Sequence, residues 1–248
     1  MLEKDEIYDN SSLFENPNIK LSFIRKVYSI LFYQLFLTAL MVYASMVYPE
    51  YAAFQMQNYV LFIFQSFISV SILIAIFCNN DIARQVPLNY FLLLIFTLSQ
   101  GYIVRRWQIN VKINQKFFCI QNNIIFLKRV IMAGLNTLAI VFLLTIYAYY
   151  SKTDYTVCGA TLFMLVSVCF FCSWIVYFYD YESYNILIVV ISAMIYGYYI
   201  IYDTQLIMKN NIYCLKIDDY ILGTIILYID IIRLFLRILK LLAFTKKR

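Results

Sequence analysis

Seven long apolar runs dominate this chain, near residues 27–48, 59–78, 88–104, 130–150, 157–179, 185–207 and 220–242. Crossing the hydrocarbon core of a bilayer takes about 20 apolar residues in a helix. Helices and closed barrels are the structures that satisfy every backbone polar group there. The run lengths therefore predict an all-α fold, a polytopic helical membrane protein with about seven transmembrane helices. Composition agrees, because 63% of the 248 residues are hydrophobic and 14% are charged, against about 45–50% and about 25% in soluble domains. Polar breaks at 48–51, 79–81, 151–154, 180–182 and 209–219 divide the runs. Most of these connections are short, which predicts that successive helices pack antiparallel.

Charge divides the chain further. Residues 1–22 form a polar N-terminal tail whose Glu3, Asp5, Glu6, Asp9 and Glu15 precede the first apolar run, so the segment does not resemble a cleavable signal peptide. Residues 23–242 form the transmembrane domain, and 243–248 a basic C-terminal tail. Lys4, Lys20, Arg25, Lys26 and Arg84 favour a cytosolic N-terminus. The segment 105–129 opposes that count: Arg105, Arg106, Lys112, Lys116, Lys128 and Arg129 fall on the other side, which marks it as an atypical basic insert. The net charge of +6 follows membrane topology and carries no nucleic-acid signal.

The chain has no histidine, which excludes histidine-ligated zinc or haem, Ser-His-Asp triads and a histidine pH switch. Of its six scattered cysteines, Cys169 and Cys172 form a Cys-x-x-Cys inside an apolar run with no second pair, and are expected to be plain buried thiols. Clustered tyrosines at the segment ends suit interfacial belts. Gln65, Gln100 and Gln205 lie at membrane depth, where interhelical hydrogen bonding accounts for them. No cofactor is expected.

Two aspartates stand within the last two runs: Asp203 in Ile-Tyr-Asp-Thr-Gln and Asp230 in Leu-Tyr-Ile-Asp-Ile-Ile-Arg. An Asp at the centre of a spanning helix costs about 2.5–3.5 kcal/mol, so a retained pair points to ions or protons. Arg233 and Arg237 follow Asp230 at i+3 and i+7 on the same face. An arginine one turn away neutralises the aspartate; one that turns outward leaves it open to a cation or to Asp203. Two carboxylates brought close would titrate as a pair, giving a proton-operated gate without histidine. Hard oxygen ligands favour Ca²⁺, but that ion takes about 6–8 oxygens, so two aspartates make a transit site rather than a storage site. The bland alternative has Asp203 reaching water at its helix end and Asp230 consumed by Arg233.

At these residues the chain resembles the Bax inhibitor family, also called the transmembrane Bax inhibitor motif or lifeguard proteins. Phe23-Ile24-Arg25-Lys26-Val27-Tyr28 resembles the family's first helix, and Pro87-Leu88-Asn89-Tyr90 with Phe96-Thr97 its third. Thr153-Asp154-Tyr155-Thr156 resembles the loop after the fourth. The most specific stretches are Ile201-Tyr202-Asp203-Thr204-Gln205 and Leu227-Tyr228-Ile229-Asp230. Departures are Gln100 where the family has an acidic residue, the longer 105–129 segment, and Arg233 where the family usually has Asn. The second run also lacks the basic residue that some relatives use as a latch.

The resemblance implies a helical bundle with the last helix central. It implies Ca²⁺ leak from endoplasmic reticulum or Golgi stores, gated by Asp203 and Asp230, and suppression of stress-induced cell death. The lipid bilayer, calcium as the transported ion and cell-death regulatory membrane proteins are the implied partners. Arg233 is the candidate latch. Two other classes compete: an adaptor that regulates cell death without conducting, and an intramembrane aspartyl protease. The protease reading fails at its second motif, where Leu227-Tyr228-Ile229 replaces Gly-x-Gly before the aspartate, so the expectation is non-enzymatic.

Overall fold

The computed structural model describes residues 17–114, 121–179, 182–209 and 218–244. Among them the regular structure is helical: α1 (Pro17–Val47), α2 (Pro49–Gln57), α3 (Tyr59–Cys78), α4 (Asn80–Arg84), α5 (Leu88–Asn114), α6 (Gln121–Tyr150), a 3-10 turn (Thr156–Cys158), α7 (Gly159–Tyr179), α8 (Glu182–Lys209) and α9 (Tyr220–Phe244). The seven apolar runs are α1, α3, α5, α6, α7, α8 and α9. Five helices among the described residues hold a window long and apolar enough to cross a membrane: Pro17–Val47, Tyr59–Cys78, Leu88–Ile109, Phe126–Tyr150 and Ile186–Met208. Asp230, Arg233, Arg237 and Lys240 make α9 the most heavily charged of the apolar runs.

Breaks between helices follow local chemistry. Proline fixes its own φ and forces its predecessor out of the helical region, and Tyr48 before Pro49 is extended at φ −106° and ψ 94°. Pro49 then stands in the first turn of α2, where its missing N–H costs nothing. Asn79 ends α3 in the extended region. The outward faces are apolar: α3 exposes Val60, Phe64 and Phe67, and α6 exposes Leu135, Phe142 and Leu143. Water would penalise such faces, and lipid accepts them.

The chain divides into two compact units. Residues 1–109 and 206–228 make one, and 110–205 and 229–248 the other. In the first unit, Phe23, Val27 and Leu31 of α1, Leu93 and Phe96 of α5, and Ile221, Ile225 and Tyr228 of α9 are buried. Polar pairs at the same depth are matched between helices: Gln34 Nε2 donates to Thr97 Oγ1 at 2.9 Å, Ser99 Oγ to Gln65 Oε1 at 2.8 Å, and Gln100 Nε2 to Ser69 Oγ at 2.6 Å. This is the interhelical bonding expected of Gln65 and Gln100. Just before α9, Asp219 accepts two hydrogen bonds from Arg84, at 2.7 and 3.1 Å. Lys26 lies 3.4 Å above the centre of the Tyr220 ring, whose hydroxyl accepts from Asn89 Nδ2 at 3.2 Å.

The second unit contains α6, α7, most of α8 and the latter part of α9, and with them both aspartates. Gly197 of α8 faces Leu144 of α6, where an added Cβ would stand 3.5 Å from Leu144 Cδ1, an ordinary contact.

Three sequence expectations change. The helix of α1 starts at Pro17, inside the segment read as tail, because residues 17–22 continue the helical path of the first run. The 105–129 segment is helical in its described residues, as extensions of α5 and α6, and Arg105 and Arg106 are buried rather than loop charges. Cys169 and Cys172 are not buried thiols: Cys169 is half-buried and Cys172 is exposed. Cys119 and Cys214 lie outside the described residues.

Candidate functional site

Asp203 sits in the last two turns of α8 and Asp230 near the middle of α9. Both are almost fully enclosed, at 3% and 5% exposure. Asp203 therefore does not reach water from its helix end. The two carboxyls are close enough to interact directly. Carboxylates have no hydrogen to donate, so a hydrogen bond between the two forms only when one of the pair carries a proton. Oδ2 of Asp203 and Oδ2 of Asp230 are buried with no hydrogen-bond partner. Each carboxyl thus holds at least one buried oxygen in reserve.

Those oxygens are the start of a cation site rather than a complete one. No group of three or more His, Cys, Asp or Glu that could hold a metal occurs among the described residues. A calcium ion at the pair would draw most of its six to eight ligands from water or backbone. Such a donor set suits an ion in passage.

Arg233 does not lie across Asp230. It is exposed, with its guanidinium 5.8 Å from the centre of the Tyr196 ring, and Arg237 lies 5.9 Å from the same ring. The aromatic face attracts both cations. Arg233 consequently acts on Asp230 through its charge, with no hydrogen bond between them. Of the two rotamers that the i+3 spacing allows, the structure adopts the outward one.

The surroundings contain groups that sequence reading did not assign. Tyr199, one turn before Asp203 on α8, lies within the field of both aspartates. Thr204 is fully buried, and its hydroxyl has no partner. Gln205, also fully buried, makes the expected interhelical bond to α6 and adds two to the loop that follows it. Its Nε2 donates to the carbonyls of Thr153 at 3.0 Å and Ala148 at 3.3 Å, and its Oε1 accepts from the Tyr155 N–H at 2.8 Å. The residue two positions past Asp203 thereby anchors the loop between α6 and α7. Asp154 shapes that loop by accepting from the Thr156 N–H at 3.0 Å and hydroxyl at 2.6 Å, an Asx turn that opens the 3-10 segment. The Tyr147 and Tyr155 hydroxyls meet at 2.6 Å, and that hydrogen bond pushes the Tyr155 phenol above its ordinary range. Gly159 lets α7 begin against Tyr202, because a Cβ there would come within 2.9 Å of the Tyr202 hydroxyl.

Comparison with known proteins bears on the whole of this arrangement. The family model described as "Inhibitor of apoptosis-promoting Bax1" matches residues 20–247. A Golgi anti-apoptotic protein of Vaccinia virus (strain Lister) is 28% identical over 251 residues, covering 100% of this chain and 95% of that protein. Protein lifeguard 4 of Mus musculus is 28% identical over 247 residues, covering 100% of this chain and 95% of that protein. Protein lifeguard 3 of Homo sapiens is 26% identical over 235 residues, covering 93% of this chain and 71% of that protein.

Proposed function

The chain belongs to the family of inhibitors of apoptosis-promoting Bax1, and from that premise we propose that it is a pH-sensitive calcium leak channel of a Golgi or endoplasmic reticulum membrane, which suppresses stress-induced cell death by lowering stored calcium. The observation that carries this reading is the buried aspartate pair, close enough to share a proton and holding two unpartnered oxygens. With the proton in place the pair has one negative charge and its helices stay joined. Loss of the proton sets two charges side by side in a poorly hydrated interior, where they repel each other or take up a cation. Leak therefore rises with pH and falls on acidification. Full-length relatives named as anti-apoptotic and as a Golgi protein support the cellular half of the reading.

Calcium efflux from liposomes containing the purified chain, measured across pH, tests it. Asp203→Asn and Asp230→Asn each preserve a neutral hydrogen-bonding partner but abolish the shared proton. Each variant is expected to lose the pH dependence of efflux; efflux unchanged by both substitutions would make the pair structural. Arg233→Asn removes a nearby positive charge that favours ionised Asp230. It is expected to shift the pH profile toward higher pH, and a resting leak that rises at every pH would instead indicate a latch.

A second reading is an adaptor that binds cell-death regulatory membrane proteins without conducting. It rests on the relative's name, which records protection from death and not ion flux. Cells protected equally well by a chain carrying both Asn substitutions would favour it.

A further inference from the structure

We propose that the Arg105 corner of the first unit is a binding site for a small inorganic anion. Arg105 and Arg106, near the C-terminal part of α5, are 5% and 7% exposed. Arg105 Nη2 donates to the Ser45 carbonyl at 2.7 Å, and Arg106 Nη1 donates to the Gln55 carbonyl. Ser45 and Gln55 stand in the last turns of α1 and α2, so both arginines cap carbonyls that the helices themselves leave unbonded.

The charges do not balance. Each helix C-terminus carries about −0.5 of a charge, which leaves about one positive charge when two guanidinium groups share two helix ends. Among the described residues neither arginine forms an ion pair, and Glu50, the acidic residue of α2, is exposed. Arg106 also lies 5.3 Å from the Tyr59 ring centre and 5.1 Å from that of Phe62, which disperse its charge. Among the described residues no aromatic ring lies against Arg105 as Tyr59 and Phe62 lie against Arg106, and the excess falls there.

Unpaired polar atoms, both donors and acceptors, occur on Arg105 and on buried glutamines of α5 and α2. Arg105 Nε is buried without a hydrogen-bond partner, as are both amide atoms of Gln108 and Oε1 of Gln55. Gln108 is fully buried, one turn along α5 from Arg105 and on the adjoining face. A buried guanidinium N–H left without an acceptor is costly. One anion held by Arg105 Nε–H and the Gln108 amide N–H₂ supplies both the missing acceptor and the missing charge. The assignment is independent of the aspartate pair, since it rests on different residues of the other unit.

The test uses the full chain in lipid-free neutral detergent. Sodium gluconate, whose anion is bulky, is replaced stepwise by chloride and, in a second series, by phosphate at constant ionic strength, while thermal unfolding is followed. A saturable rise in Tm with either small anion is expected. Arg105→Gln should abolish it, and Gln108→Leu should move its midpoint about tenfold or more, the usual weight of a hydrogen bond to a charged group. Where Arg105→Gln does not fold, Gln108→Leu decides. If the corner is purely structural, Leu removes two unpaired buried atoms and raises Tm equally in gluconate, chloride and phosphate. That result, or a wild-type chain indifferent to both anions, overturns the proposal.

Discussion

Tyr228, two residues before Asp230, ties α9 into the first unit through a hydrogen bond whose direction can be deduced. Its hydroxyl is 2.7 Å from Thr38 Oγ1, and Thr38 Oγ1 donates to the Gln34 carbonyl at 2.8 Å. A threonine hydroxyl has one hydrogen. Thr38 has spent it, so Tyr228 is the donor and Thr38 the acceptor. The two single truncations therefore have unequal costs. Tyr228→Phe keeps the ring in its edge-on contact with Phe96 at 6.0 Å and leaves Thr38 with its own donated bond intact. It should cost about 1 kcal/mol, the net worth of one hydrogen bond. Thr38→Val leaves the Tyr228 O–H, on a residue with 0% exposure, without its acceptor. It should cost about 2–3 kcal/mol, the desolvation penalty of an unsatisfied buried donor. The double variant removes both polar groups and should be milder than Thr38→Val alone, a coupling of about 2 kcal/mol. Equilibrium unfolding of the purified chain in mixed detergent micelles measures all three. A Thr38→Val cost no greater than that of Tyr228→Phe, or costs that simply add, would refute the assignment of donor and acceptor.

Gln205→Leu removes three hydrogen bonds from α8, two to the loop after α6 and one to Ala148 in the last turn of α6, and should destabilise the chain by about 2–4 kcal/mol. Amide exchange at residues 151–156 should accelerate well beyond that elsewhere in the second unit, and uniform acceleration would show that the loop has no separate dependence on Gln205. Arg84→Met removes both hydrogen bonds to Asp219, whose side chain is 7% exposed while that of Arg84 is 26% exposed. The partial exposure lowers the expected cost from the 3–5 kcal/mol of a fully buried pair to about 1–3 kcal/mol, and the exchanged pair Arg84→Asp with Asp219→Arg should restore part of it in an unfolding titration.

The fold was legible wherever lipid imposes a length. Each of the seven apolar runs became a helix, and Pro49 and Asn79 ended helices where backbone chemistry says they should. The burial of Asp203 and Asp230 was legible in part: two charges in consecutive apolar runs need shelter from lipid, but the runs alone left Asp203 free to reach water and Asp230 free to pair with Arg233. The rotamer of Arg233 was not. Spacing puts Arg233 and Asp230 on one face, but the choice between the carboxylate and the Tyr196 ring depends on α8, whose register against α9 no local pattern encodes.

Arg105 and Arg106 show most clearly how a correct rule gives a wrong address. The positive-inside rule concerns charges that stay in loops and face the aqueous compartment during insertion. It therefore counts every Lys and Arg after the third run as a topological signal, and the count conflicted with a cytosolic N-terminus. These two arginines are helical and buried, and their partners are the carbonyls of Ser45 and Gln55, which a sequence shows only as a serine and a glutamine. Their charge is set against helix ends of their own unit, so it carries no vote on which side of the membrane they occupy. Removing both from the count leaves Lys112, Lys116, Lys128 and Arg129 for that side, and the conflict weakens without any change in helix number. The same calculation identifies the Arg105 corner as a place where charge was retained for contacts rather than for orientation.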